Sequence, residues 1–174
     1  MSQGTFRRAA RRIRRAILAA GPWLGAALAL AQFPPPVGEE FPVNTYTPSR
    51  QVFPWVALDA AGEFVVVWES YEQDGGAGGY GVFGQRFDAD GQPAGGEFAI
   101  NTTTAGSQEQ PAVVSDPAGN FVVVWSSPGQ DGSGSGVIGR RYDETGLPLT
   151  GEFLVNSFTT GDQNLPVAAA DGAG

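Results

Sequence analysis

The sequence predicts an all-β protein built from tandem four-stranded units. Three observations carry this. The segment from Phe41 to Glu97 recurs as Phe98 to Glu152 with one two-residue deletion, more than half of the aligned positions being identical, and it starts a third time at Phe153. The run Phe-Val-Val-Val-Trp stands unchanged at 64–68 and at 121–125. Turn signals of the form Asp-x-x-Gly recur at Asp59, Asp88, Asp116, Asp143 and Asp171. A repeat of this period is one supersecondary unit that buries its apolar surface only by stacking on its neighbours.

Each element follows from its residues. Pro54 to Leu58 and Pro111 to Ser115 read as the first strand of a unit. The five-residue Phe-Val-Val-Val-Trp run is the second. It is β-branched and aromatic, and apolar at every position rather than alternating, which suits a strand covered on both faces. Gly81 to Asp88 and Gly136 to Asp143 give the third strand; Glu97 to Thr102 and Glu152 to Ser157 give a shorter fourth. Residues 41–47 are the equivalent of that fourth strand, entering the first copy. Between strands, the aspartate caps its own turn and the glycine accepts a positive φ. The fixed spacing to glycine favours this turn role over metal binding or acid catalysis. Four strands per unit, with a central strand apolar on both sides, match a propeller-like blade better than a sandwich or a β-helix.

The chain divides into residues 1–31, a linker at 32–40, repeats at 41–97 and 98–152, and a truncated third repeat at 153–174. The first 31 residues hold Arg7, Arg8, Arg11, Arg12, Arg14 and Arg15, then an uncharged Ala/Leu-rich stretch ending in Ala29-Leu30-Ala31. A basic start, a short apolar core and a small-x-small end describe a secretory signal peptide. The apolar stretch is shorter than the roughly 20 residues that a spanning helix needs, so no membrane span is expected after cleavage. The expected location is outside the cell or on a bacterial cell surface. Because Gly174 aligns with Gly62 and Gly119, the sequence reading also expects further repeats of the same array.

Composition narrows the chemistry. Four arginines and no lysine remain beyond residue 31, against 18 carboxylates. Such a surface repels nucleic acid, which is bound through basic patches, and favours solubility and cations. There is no cysteine, so no disulfide framework, and no histidine, so neither Ser-His-Asp catalysis nor the usual zinc site is available. Carboxylate-pair chemistry remains possible, because glycosidases need only Asp and Glu.

The repeated motifs resemble those of a known family. Asn44-Thr45-x-Thr47, Gln51-x-x-Pro54-x-Val56, Phe64 to Trp68, Gln73-Asp74-Gly75 and Gly81-Val82-x-Gly84-Gln85-Arg86-Phe87-Asp88 look like a tandem repeat of long bacterial secreted and surface proteins. The second copy has Gln130-Asp131-Gly132-Ser133-Gly134, and the third begins Val155-Asn156-Ser157-Phe158-Thr159-Thr160-Gly161-Asp162-Gln163. The resemblance covers residues 41–174. It implies propeller-like modules of uncharacterised role, often in one polypeptide with cadherin-like or calcium-binding repeats, and it carries over no catalytic residue.

The expected function is that of a non-enzymatic structural or binding module, the partner being an extracellular protein or glycan together with further repeats of the array. The alternative is part of a sialidase-like propeller glycosidase. The loop after the central strand is the candidate ligand site: Gln73 and Asp74 in one copy, Gln130 and Asp131 in the other. Its glycines let carbonyl groups turn inward and Asp74 and Asp131 supply hard oxygens, so calcium is the one cofactor considered; a plain Gly-rich connector is the competing reading. Trp68 and Trp125 fit burial between units better than sugar stacking. Arg86 with Asp88, and Arg141 with Asp143, share a strand face two residues apart and suggest ion pairs.

The signal-peptide reading makes a direct prediction. N-terminal sequencing of exported protein should begin at Gln32; an arginine-rich start on the exported form would instead mark an uncleaved anchor.

Overall fold

A computed structural model describes residues 38–75 and 78–171; residues 1–31, where the sequence predicts a signal peptide, lie outside them. The described residues contain no helix and form two four-stranded antiparallel sheets. Sheet 1 has β1 (Gln51–Leu58), β2 (Phe64–Tyr71), β3 (Tyr80–Phe87) and β4 (Phe98–Ala99) in that spatial order. Sheet 2 repeats it with β5 (Glu109–Ser115), β6 (Phe121–Pro128), β7 (Ser135–Tyr142) and β8 (Phe153–Leu154). The fourth strand of each sheet therefore comes from the start of the next sequence repeat.

The turns form as their residues dictate. Asp59 Oδ1 accepts from the N–H groups of Ala61 (2.8 Å) and Glu63 (2.9 Å). Asp88, Asp116 and Asp143 make the same pair of bonds two and four residues on. The closing glycines Gly62, Gly91, Gly119 and Gly146 have φ of 88°, 77°, 91° and 84°, a region that a Cβ disfavours. The fifth Asp-x-x-Gly turn, at Asp171, runs into residues outside those described.

The strands depart from the sequence reading in several places, the second strand running on to Tyr71 and Pro128 beyond the five-residue apolar run. The first strand of each sheet starts earlier, at Gln51 and Glu109, and carries a bulge just before its proline. Phe53, Gln110 and the equivalent Leu165 sit there with φ of 52°, 57° and 57°. Proline at the next position supplies no ladder donor, and the extra residue bends the strand. The fourth strand is shorter than expected. After Ile100 N–H donates to Val82 O (2.8 Å), the Asn101 side chain replaces the backbone, its Oδ1 accepting from Val82 N–H at 2.7 Å. Finally, residues 41–47 form no strand, since no preceding sheet among the described residues offers them an edge to pair with. Phe41 nevertheless rests on Phe87, ring centroids 5.5 Å apart.

The two sheets pack through opposite faces. Ala57, Val65, Val67, Val82 and Ile100 of sheet 1 meet Val113, Phe121, Val123, Trp125, Ile138 and Tyr142 of sheet 2 in one core. Val65 and Val67 match Val122 and Val124 in the repeat, whereas the sheet 2 residues at the interface match Phe64, Val66 and Trp68. The same second face on sheet 1 forms its own cluster of Val66, Trp68, Phe83 and Phe87, covered in part by Val43 and Phe64. Such head-to-tail contacts bring unlike faces together and can recur from copy to copy. β5 lies closest to β1, less close to β2 and least to β3, so the sheets converge at their first strands. That is compatible with propeller-like blades.

Aromatic stacking repeats with the fold. Phe64 stacks on Phe87 (4.9 Å) and Phe121 on Tyr142 (4.8 Å). Phe98 leans on Tyr142 across the interface, in the place Phe41 takes against Phe87. Burial pushes the Tyr142 phenol up to about 12, against the opposing pull of Arg140. Its hydroxyl and Arg140 Nη1 both donate to Ile100 O, each at 3.0 Å.

Trp125 is fully buried and Trp68 is 3% exposed, whereas Trp55 is 47% exposed. Trp125→Ala should therefore cost roughly 3–5 kcal/mol of stability, and Trp55→Ala about 1 kcal/mol or less. Urea midpoints of the two variants check this; equal shifts would place the Trp125 indole at the surface.

Candidate functional site

The loops that carry the candidate residues are fastened into the stack rather than displayed. Asp74 Oδ2 accepts from Asn101 Nδ2 (3.2 Å), and Asp131 Oδ2 accepts from Asn156 Nδ2 at the same distance. Each carboxylate occupies the space where the facing glycine would carry a Cβ. An added Cβ would lie 2.7 Å from Asp74 Oδ2 at Gly81 and 2.8 Å from Asp131 Cγ at Gly136. Glycine is required there by close approach, not by backbone angle.

The asparagine is the hub. Asn101 receives Val82 N–H on its oxygen and donates through its amide to Thr103 O (2.9 Å), Gln108 Oε1 (3.2 Å) and Asp74. Asn156 repeats the set with Val137 N–H, Phe158 O, Gln163 Oε1 and Asp131. A single side chain thus ends the outer strand, closes the turn after it and holds the Gln-Asp-Gly loop.

Gln73 and Gln130 serve a second clasp, which in the second copy crosses from sheet 2 to sheet 1. Gln73 Nε2 donates to Glu97 Oε1 (3.2 Å). Glu97 Oε2 accepts from the N–H groups of Thr45 (2.8 Å) and Tyr46 (3.0 Å) and from the Thr45 hydroxyl. In the next copy Gln130 Nε2 donates to Glu152 Oε2 (2.8 Å) and to Thr103 Oγ1 (3.0 Å). Glu152 accepts in turn from the N–H groups of Thr102 and Thr103 and from the Thr103 hydroxyl. The glutamate of sheet 2 thereby grips the segment that leaves the outer strand of sheet 1. The hydroxyl donor moves by one residue because Tyr46 stands where Thr103 does.

These contacts set the electrostatics. Burial opposes ionisation of Glu97, but the Thr45 hydroxyl and N–H, Gln73 and Tyr46 N–H outweigh it and hold the carboxyl below its ordinary value of 4.5. Glu152 is lowered in the same way: burial opposes, and Thr102, Gln130 and Thr103 prevail. Hydrogen bonds to the charged form favour it.

Among the described residues no group of three or more acidic side chains could hold a metal ion; residues 76 and 77 of the first loop lie outside them. Asp74 and Asp131 are each engaged by an asparagine amide, and Asp162 Oδ1 beside the second loop accepts from Ser135 N–H at 2.9 Å. The expected Arg86–Asp88 pairing is replaced by a contact between copies, since Arg86 Nη1 donates to Thr145 O (2.9 Å) in the turn of sheet 2. Glu97, Glu152 and the hub asparagines were not singled out as site residues from the sequence. Their recurrence at one position per copy is the signal that marks them.

No protein-family model matches the chain, and no curated protein matches it.

A carboxyl lowered by folding stabilises the folded state above its ordinary value and loses that contribution as pH falls through the lowered one. Stability should therefore drop on acidification below about pH 4.5, the ordinary value for Glu152. Glu152→Gln should cost about 1–3 kcal/mol at pH 7, with the gap from the parent closing as pH falls. Urea unfolding at pH 7 and pH 3 checks both points; a gap that stays constant would mean that charge plays no part in the clasp.

Proposed function

We propose that this protein is an exported, non-enzymatic β-repeat module that works as a structural or binding unit of a bacterial secreted or surface protein, with an extracellular protein or glycan as its partner. The observation that carries the reading is the fate of the recurring polar residues. Glutamine, aspartate, asparagine and glutamate at the repeated positions all bond to neighbouring backbone or to one another. A repeated residue spent on joining copies supports cohesion of a stack.

Other features support the same reading. The acidic surface suits an exported protein. The two sheets meet through a large apolar core and a polar clasp on one chain, so load on one copy passes directly to the next. The paired carboxylates that glycoside hydrolysis needs are absent from the recurring positions, where each loop holds one aspartate fixed by one asparagine.

Two measurements test the proposal. The purified chain should release no product from 4-nitrophenyl glycosides or from an aryl sialoside, while protein exported by intact cells should be reachable by an antibody from outside. Glycoside turnover abolished by a carboxylate substitution would replace this reading with the glycosidase one, and retention in the cytoplasm would remove the surface role.

A further inference from the structure

A cavity of about 540 Å³ opens where the first strands of the copies converge. It is lined by β1, by β5 and by the extended segment that carries Leu165. Its walls include Phe53, Trp55 and Tyr80 from the first copy and the carboxylates Glu69 and Glu109. The volume lies in the range of small-molecule sites.

These residues are where the copies cease to agree. Phe53 aligns with Gln110 and Leu165, Trp55 with Ala112 and Val167, Glu69 with Ser126, and Tyr80 with Ser135. Glu109 aligns with Val52. Only the bulge proline recurs, as Pro54, Pro111 and Pro166. The stacking residues repeat because every interface needs them, so a pocket made from the positions that differ has a cause other than stacking. Phe53 and Trp55 also leave much of their ring surface exposed, at 66% and 47%.

The chemistry of the walls is one-sided. Glu69 is 2% exposed, and one of its oxygens accepts from Gln110 N–H at 2.6 Å. Burial pushes its carboxyl up from the ordinary value, the Gln110 bond opposes this, and Glu109 adds to it. No arginine lines the cavity. A buried acidic group beside open aromatic faces attracts a cation with an apolar body, since the rings and the carboxylate both favour positive charge. A bare divalent ion would need about 6–8 oxygen ligands, more than two carboxylates and aromatic walls provide.

We infer that this cavity is a binding site for a small organic cation, an amine or quaternary ammonium group with an apolar substituent, held by Trp55 and Phe53 around the Glu69 and Glu109 carboxylates. The inference goes beyond the stacking role, because Trp55 and Phe53 take no part in the clasp and the stack would stand without a ligand.

Isothermal titration calorimetry with benzyltrimethylammonium tests it, with benzyl alcohol as the uncharged counterpart. The cation should bind with a Kd below about 1 mM, and benzyl alcohol should bind at least about tenfold more weakly. Trp55→Ala and Glu69→Gln should each weaken the cation about tenfold, a change of about 1.4 kcal/mol. Trp55 should be the tryptophan whose fluorescence responds, since Trp68 and Trp125 are buried. Equal binding of the uncharged compound, unchanged affinity in both variants, or no binding at 1 mM would each overturn the site. If far-UV dichroism shows that Trp55→Ala or Glu69→Gln disturbs the fold, Glu109→Gln on the cavity margin decides in their place. Weaker cation binding by this variant sustains the inference, and unchanged affinity overturns it. Glycoside turnover plays no part in this readout, so the binding result and the non-enzymatic reading stand or fall separately.

Discussion

Packing of unlike faces is the constraint on which the rest of this structure depends. Sheet 1 presents Val65 and Val67 to sheet 2, and sheet 2 replies with Phe121, Val123 and Trp125. Because sheet 1 meets its neighbour with one face and sheet 2 with the other, a repeated strand that serves both roles is apolar on both sides. That is the physical reason for an uninterrupted Phe-Val-Val-Val-Trp where a one-sided sheet would alternate. A sheet buried on two faces also gives up the solvated surface on which polar side chains usually sit, so the polar residues gather at the strand ends and in loops. They appear there as the asparagine hub and the glutamate clasp.

The hub and the clasp divide the labour. The asparagine acts within one sheet, replacing ladder bonds at the end of a two-residue strand and fixing the loop beside it. The glutamate acts between sheets, gathering N–H groups that the departing chain would otherwise leave unpaired. Unsatisfied backbone donors at such a corner would each carry a desolvation cost, and one carboxylate satisfies several. The carboxylates of the Gln-Asp-Gly loops are held within the same architecture, each by an asparagine amide. Arg86 adds a further bond across the interface at the opposite end of its strand, again to a backbone carbonyl.

Much of the fold was legible in the chain. The repeat, the Asp-x-x-Gly turns and the apolar run fix strand order locally, because each depends on residues close in sequence. Burial of Trp68 and Trp125 followed from their place at the end of the run. What the sequence concealed depends on contacts between distant residues. The bulge before Pro54 and Pro111 lengthens the first strand, and nothing in the propensity of Phe53 or Gln110 announces a left-handed backbone. Arg86 and Asp88 share a strand face, yet the arginine finds a carbonyl on another sheet, a choice set by how closely the sheets pack. The cavity at the converging first strands was likewise hidden. Glu69 reads as the polar end of an apolar run until the neighbouring copy closes over it.

The offset between sequence unit and sheet has a genetic consequence. Since β4 and β8 are donated by the following copy, a crossover at the start of a unit, between Glu97 and Phe98, inserts or removes a whole period without creating a new kind of interface. The junction residues on either side are equivalent in every copy, so the sheet on the upstream side always receives a matching outer strand. The number of copies can change by such a crossover while the pairing of the outer strand is preserved. The side chains that line the converging first strands remain free to diverge, copy by copy, under whatever selection acts on them.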